Sequence, residues 1–178
     1  MILWLAYLLL FPSCKAKIFF DIDEEFRDCE NGKPLPQFHT SDFHIIVQDD
    51  GTIRVNGTVR FLQDYGSPTR WRLTSQRLQQ GEWQTGIVSR DVPNICLNLQ
   101  IPAEPWYPFT SLMKQKTCPF KAGHEEHADN INIGNYATIF AVPPEYLGDW
   151  RIYFTITTLR RGTFFEECIM SPVSVLEL

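Results

Sequence analysis

The sequence predicts an all-β chain folded as an antiparallel β-sandwich, and three observations carry that prediction. Apolar residues recur with a period of two, as on a strand with one buried face. The runs are short and are separated by Gly, Pro, Asn and Asp, the residues that make turns. No segment shows the amphipathic helical repeat that a parallel α/β fold needs between its strands. Of the 178 residues 44% are hydrophobic and 21% charged, which excludes wholesale disorder and suits one domain with a real core. A formal net charge of -5 gives no field to gather nucleic acid, so no nucleic-acid partner is expected.

In chain order, residues 2–11 form an uncharged apolar run. A membrane span needs ~20 such residues, whereas the apolar core of a secretory signal peptide is about this long. Pro12 ends the run, and Ser13-Cys14-Lys15-Ala16 supplies small residues for processing after Ala16. The expected division is a signal peptide at 1–16 and a single domain at 17–178, secreted and extracellular. Cleavage would discard Cys14 and leave Cys29, Cys96, Cys118 and Cys168. Two disulfides are then expected in an oxidising compartment, with three connectivities open. Asp21-Ile22-Asp23-Glu24-Glu25 begins like a calcium loop, but Phe26 stands where glycine makes the turn, so it reads as a solvated acidic segment.

Residues 43–47 and 53–61 form a predicted hairpin around Asp49-Asp50-Gly51. Ile53, Val55, Val59 and Phe61 alternate there with Arg54, Asn56, Thr58 and Arg60. Asn56-Gly57-Thr58 is a glycosylation sequon, and its place in the polar phase points a glycan on Asn56 into solvent. Further strands are expected at 71–78, 95–101, 135–142, 150–159 and 168–176. Turns are expected at Tyr65-Gly66-Ser67-Pro68, Gln80-Gly81, Pro143-Pro144 and Arg161-Gly162.

Between Cys96 and Cys118 the pattern changes. Pro102, Pro105 and Pro108 preclude a central strand, and Trp106, Tyr107, Phe109, Leu112 and Met113 crowd the same segment. It reads as an irregular aromatic loop, or as a short helix capped by Thr110 or Ser111 and running to about residue 116. If Cys96 and Cys118 pair, the closed loop contributes about 3 kcal/mol in the chain-entropy model. Such a loop is either a binding loop or a plug sealing the end of the sandwich.

The sequence shows no catalytic constellation, and no cofactor is expected. His124-Glu125-Glu126-His127 lacks the spacing of a zinc peptidase and reads as a solvated polar loop, so no metal site is predicted. There is no nucleophile elbow and no phosphate-cradling loop. A hydrolase would need acids gathered by folding, and nothing singles out such a pair.

The run Cys118-Pro119-Phe120-Lys121-Ala122-Gly123 resembles the Cys-Pro-Phe-Lys-x-Gly segment of the ganglioside-activator family, part of the lipid-recognition (ML) superfamily. Phe26-Arg27-Asp28-Cys29-Glu30-Asn31-Gly32-Lys33 is similar to that family's first-strand segment. Val142-Pro143-Pro144 to Trp150-Arg151-Ile152 resembles its proline-bearing crossover, and Thr163 to Ser174 its last strand. The spacing and single-copy cysteines look most like the insect chemosensory CheB-type branch, secreted proteins associated with pheromone detection in taste organs. The resemblance implies an immunoglobulin-like sandwich whose sheets splay into an apolar cup. It also implies the pairs Cys29–Cys168 and Cys96–Cys118. The family's two further bridges have no cysteines here, so its loop geometry does not carry over to residues 100–117.

A cup needs inward apolar side chains. In-phase wall candidates are Trp71 and Leu73, Ile95, Leu97 and Leu99, and Trp150, Ile152, Phe154 and Ile156; rim candidates are Trp106, Tyr107, Phe109, Leu112 and Met113. The expected function is a secreted, monomeric, non-enzymatic carrier or presenter of a small hydrophobic ligand such as a lipid, hydrocarbon or pheromone. A membrane receptor or membrane surface is its expected further partner. The alternative is an extracellular interaction module with a filled core, binding a receptor through an exposed patch around Trp106 and Phe109.

Overall fold

A computed structural model describes residues 17–23, 26–40 and 42–178. The expected signal peptide at 1–16 lies outside the described residues. These form nine strands: β1 (Ile18–Ile22), β2 (Phe38–His39), β3 (His44–Val47), β4 (Ile53–Phe61), β5 (Thr69–Gln79), β6 (Glu82–Val92), β7 (Glu125–Gly134), β8 (Gly148–Arg160) and β9 (Thr163–Glu177). Two single-turn helices, α1 (Tyr107–Thr110) and α2 (Tyr136–Ile139), lie in the connections. The strands make two antiparallel sheets. The larger runs β1-β9-β8-β5-β6; in the smaller, β2 and β3 flank one edge of β4 and β7 the other. This is the sandwich the period-two pattern predicts.

The long hairpins form where the turn chemistry places them. Gln80-Gly81 and Arg161-Gly162 both have positive φ at the two turn positions, the two-residue geometry whose twist matches its strands. Glycine at the second position carries that φ without a Cβ clash. Registers of Gln79↔Glu82 and Arg160↔Thr163 follow. In β4, Ile53, Val55 and Phe61 are buried while Asn56 and Arg60 face solvent, as the alternation requires.

Several local expectations are corrected. Residues 95–101 are not a strand: the Asn94 side chain accepts from Cys96 N and starts a 3-10 turn at Ile95–Leu97. Residues 135–142 are not a strand either, because Asn135 caps Thr138 N and begins α2. The strand lies earlier, in β7, so 124–127 is no polar loop. Asp21 and Ile22 belong to β1 and pair with Ser174 and Val173. The helix of the aromatic segment ends at Thr110 rather than starting there; Pro108 sits in its first turn, where its missing N–H costs nothing.

The core has two main centres. Phe61, Tyr65, Val92, Ile95, Leu99, Trp106, Phe120 and Ile156 form one, and Ile45, Ile53, Val55 and Ile133 the other. Cys29 is bonded to Cys168, tying the amino-terminal segment to β9, and Cys96 to Cys118, closing the aromatic loop. These are the two pairs that the resemblance implies.

Candidate functional site

Cross-strand pairs place the wall candidates of β5 and β8 on one face. Trp71 pairs with Ile156, Leu73 with Phe154, Ser75 with Ile152 and Arg77 with Trp150. The face points toward the smaller sheet, because Trp71 and Ile156 pack with Phe61 and Val59 of β4. β8 and β9 are both interior strands, so a filled sandwich would seal their inward side chains. Ile156 and Trp150 are buried, yet Leu73, Ile152, Phe154 and Ile169 are only half-buried. An apolar strip between the sheets therefore stays accessible. At one end of it lies a cavity of about 130 Å³, lined by Phe61, Tyr65, Trp71, Leu99, Met113, Phe120 and Ile156 among others.

The remaining candidates divide. Leu97 is 76% exposed and is no wall residue, because the 3-10 turn rotates it away from Ile95 and Leu99. Trp150 is on the expected face but away from the cavity; it stacks on Tyr146, lies under Arg77 and donates its indole N–H to Tyr146 O. Trp106 is no rim residue: it is 5% exposed, its ring centroid is 5.1 Å from that of Trp71, and its N–H meets Asn98 O at 3.1 Å. Tyr107, Phe109, Leu112 and Met113 are half-buried. Phe109 and Leu112 pack against the Ile53 centre, and Met113 against the Phe61 centre. The aromatic loop is thus a wedge between the two sheets. Asn56 is exposed on β4, its Oδ1 accepting from Asn130 N at 3.1 Å.

Three carboxylates that sequence reasoning missed hold this wedge and the end beside it. Glu104, 6% exposed, takes two hydrogen bonds from Arg90, whose guanidinium holds the carboxyl below its ordinary range. Glu126, on the inner face of β7, accepts from the backbone N–H of Lys114 and Gln115 and lies 2.7 Å from His124 Nε2. Glu167, fully buried on β9, accepts from Tyr65 Oη and Gln63 Nε2 at 2.8 Å each and pairs with Arg160 at 3.0 Å. Burial there, reinforced by the carboxylate, pushes the Tyr65 phenol well up. His124 to His127 drew notice for its residue types, but its spacing does not disclose a loop clamp. Among the described residues no group of three or more His, Cys, Asp or Glu is placed to hold a metal ion.

The Glu126 clamp has a pH signature. Burial alone would raise its carboxyl, but the N–H of Gln115, the His124 ring and the N–H of Lys114 outweigh burial and hold it below the ordinary value. A carboxyl depressed by folding stabilises the fold above its unfolded value, and that contribution is lost as pH falls through the folded one. Hydrogen-exchange protection of the Lys114 and Gln115 amides is expected to fall below about pH 4, and Glu126→Gln should show the weakened protection at neutral pH. Protection unchanged in both tests would remove the clamp.

No protein-family model and no curated protein matches the chain. The fold and the accessible strip define a disulfide-bonded two-sheet β-sandwich of a form compatible with a non-catalytic binding module.

Proposed function

We propose that the protein is a secreted, non-enzymatic carrier or presenter of a small hydrophobic molecule, a lipid, hydrocarbon or pheromone, working in gustatory pheromone detection. The observation that carries the reading is the strip of half-buried apolar residues, Leu73, Ile152, Phe154 and Ile169, on strands that a filled sandwich would seal. The cavity of about 130 Å³ at its end takes one ring or the end of an alkyl chain. Binding pockets for whole drug-sized molecules are roughly 300–1,000 Å³. A longer ligand would therefore lay its remainder along the strip, where burial contributes ~25 cal/mol per Å². The resemblance of Cys118 to Gly123 to the ganglioside-activator segment, and of the cysteine spacing to the CheB-type branch, supports the chemosensory part. The same resemblance and the apolar run at 2–11 support secretion.

Native mass spectrometry of protein secreted from eukaryotic cells, followed by organic extraction, tests this. A mass excess that extracts as an apolar compound is expected, and an environment-sensitive lipid probe should change tryptophan fluorescence through Trp71. No adduct together with unchanged fluorescence would overturn the reading.

A second reading, an extracellular interaction module, has its own observation. Its expected patch fails because Trp106 is buried, but the β8–β9 hairpin tip carries Leu159 and Phe164, cross-strand partners that are 50% and 73% exposed. On this reading Leu159→Ser with Phe164→Ser abolishes capture of a receptor and leaves probe fluorescence as it was; retained capture would sink it.

A further inference from the structure

Three tryptophans have indole nitrogens withdrawn from solvent on the larger sheet or the wedge, and two of them are satisfied by the chain. Trp106 donates to Asn98 O and Trp150 to Tyr146 O. Trp71 does not: its Nε1 is buried and has no hydrogen-bond partner among the described residues. The same holds for Thr158 Oγ1. These two groups are neighbours on one grid. Thr69 pairs with Thr158 and Trp71 with Ile156 across β5 and β8, so all four side chains lie on the inner face. Three of the four, Thr69, Trp71 and Ile156, line the cavity. Thr69 spends its own hydroxyl on Gly66 O, which leaves Trp71 and Thr158 as the open groups.

Buried donors left unmade are costly and rare; Trp71 Nε1 at the wall of an apolar cavity, with Thr158 Oγ1 at the diagonal position on the same face, calls for a partner from outside the chain. An indole N–H only donates, so that partner must accept. It must also be neutral, since every residue lining the cavity is uncharged and an unpaired charge would not be desolvated there. Arg160, two residues beyond Thr158, also has buried nitrogens without hydrogen-bond partners, but its guanidinium is engaged by Glu167 at 3.0 Å and by the Phe165 ring at 4.0 Å.

We infer that the carried molecule is an oxygenated hydrocarbon, a ketone, aldehyde, ester or ether rather than a pure alkane or a fatty-acid anion, whose neutral acceptor oxygen is bound by Trp71 Nε1–H and Thr158 Oγ1–H at the β5–β8 wall. The inference rests on the carrier reading and names its ligand class.

Cyclohexanone and cyclohexane are matched probes small enough for the cavity, and titration of isotope-labelled protein by NMR tests the assignment. Cyclohexanone is expected to shift the Trp71 indole N–H resonance, whereas cyclohexane leaves it in place while shifting the methyl groups of Leu99 and Ile156. Thr158→Val, which keeps the side-chain shape, and Trp71→Phe should each weaken cyclohexanone about tenfold and cyclohexane less than about twofold. Cyclohexane binding with no cyclohexanone effect on the indole, or equal losses of both probes in Thr158→Val, overturns the acceptor site and leaves the carrier reading standing. Binding of neither probe to the wild type overturns both. A water held between the two groups in both complexes also overturns the acceptor site.

Discussion

Trp106→Ala is expected to lower the free energy of unfolding by about 3–5 kcal/mol, the range for deleting a large buried aromatic ring. The side chain is 5% exposed, packs in the centre that holds Phe61, Phe120 and Ile156, and leans on Trp71. Its loss leaves Asn98 O without the indole donor and removes the contact that seats the wedge against the larger sheet. The comparison that decides the matter is Leu97→Ala. Leu97 is 76% exposed, and substitution there should stay within about 0.5 kcal/mol. Urea denaturation of both variants, with unchanged slopes, measures the contrast. The opposite order would return Leu97 to the wall and Trp106 to the rim. The enlarged space left by Trp106→Ala adjoins the cavity, so an apolar probe should bind the variant at least as well as the wild type.

That contrast marks where periodicity stops being informative. The hairpin of β3 and β4 and the strands β5 and β8 are legible because each has a more exposed face and one in the core, so the period of two is written in the residues. The middle of β9 instead buries both phases, Cys168 and Met170 against Cys29, and Glu167 and Ser171 on the other face. β6 is not legible, since it is an edge strand with Ile87 74% exposed and Trp83 lying flat under Arg151, and both of its phases meet solvent. β7 is read one element late because Glu126 occupies an inward position as a carboxylate, satisfied by backbone N–H groups that no local pattern announces. Ile95, Leu97 and Leu99 alternate like a strand, yet the Asn94 cap and the tie to Cys118 set their directions. The shared inner face of β5 and β8 is legible from phase alone, whereas the wedge is not. Which aromatic turns inward there depends on the distant pairs Arg90 with Glu104 and Lys114 with Glu126, and such pairings are invisible to spacing.

Glu167→Ala is expected to cost about 3 kcal/mol, the lower end of the range for breaking a buried ion pair, because the Arg160 side chain keeps 30% exposure while Glu167 has none. The carboxylate joins β9 and β8 of the larger sheet to Gln63 and Tyr65, which follow β4 of the smaller one. Deleting it strands a buried phenol and a guanidinium over Phe165 without an acceptor. Glu167→Gln keeps one acceptor oxygen and should lose less. The sharper test adds Arg160→Met and Tyr65→Phe to Glu167→Leu. If the network is a latch whose main cost is desolvation, the apolar triple variant recovers most of the loss of Glu167→Ala. Because Tyr65 also lines the cavity, the same variant separates holding the sheets together from holding a ligand. Recovered stability with intact probe binding assigns Glu167 to the latch alone. Recovered stability with weakened probe binding means that the latch also sets the shape of the cavity wall.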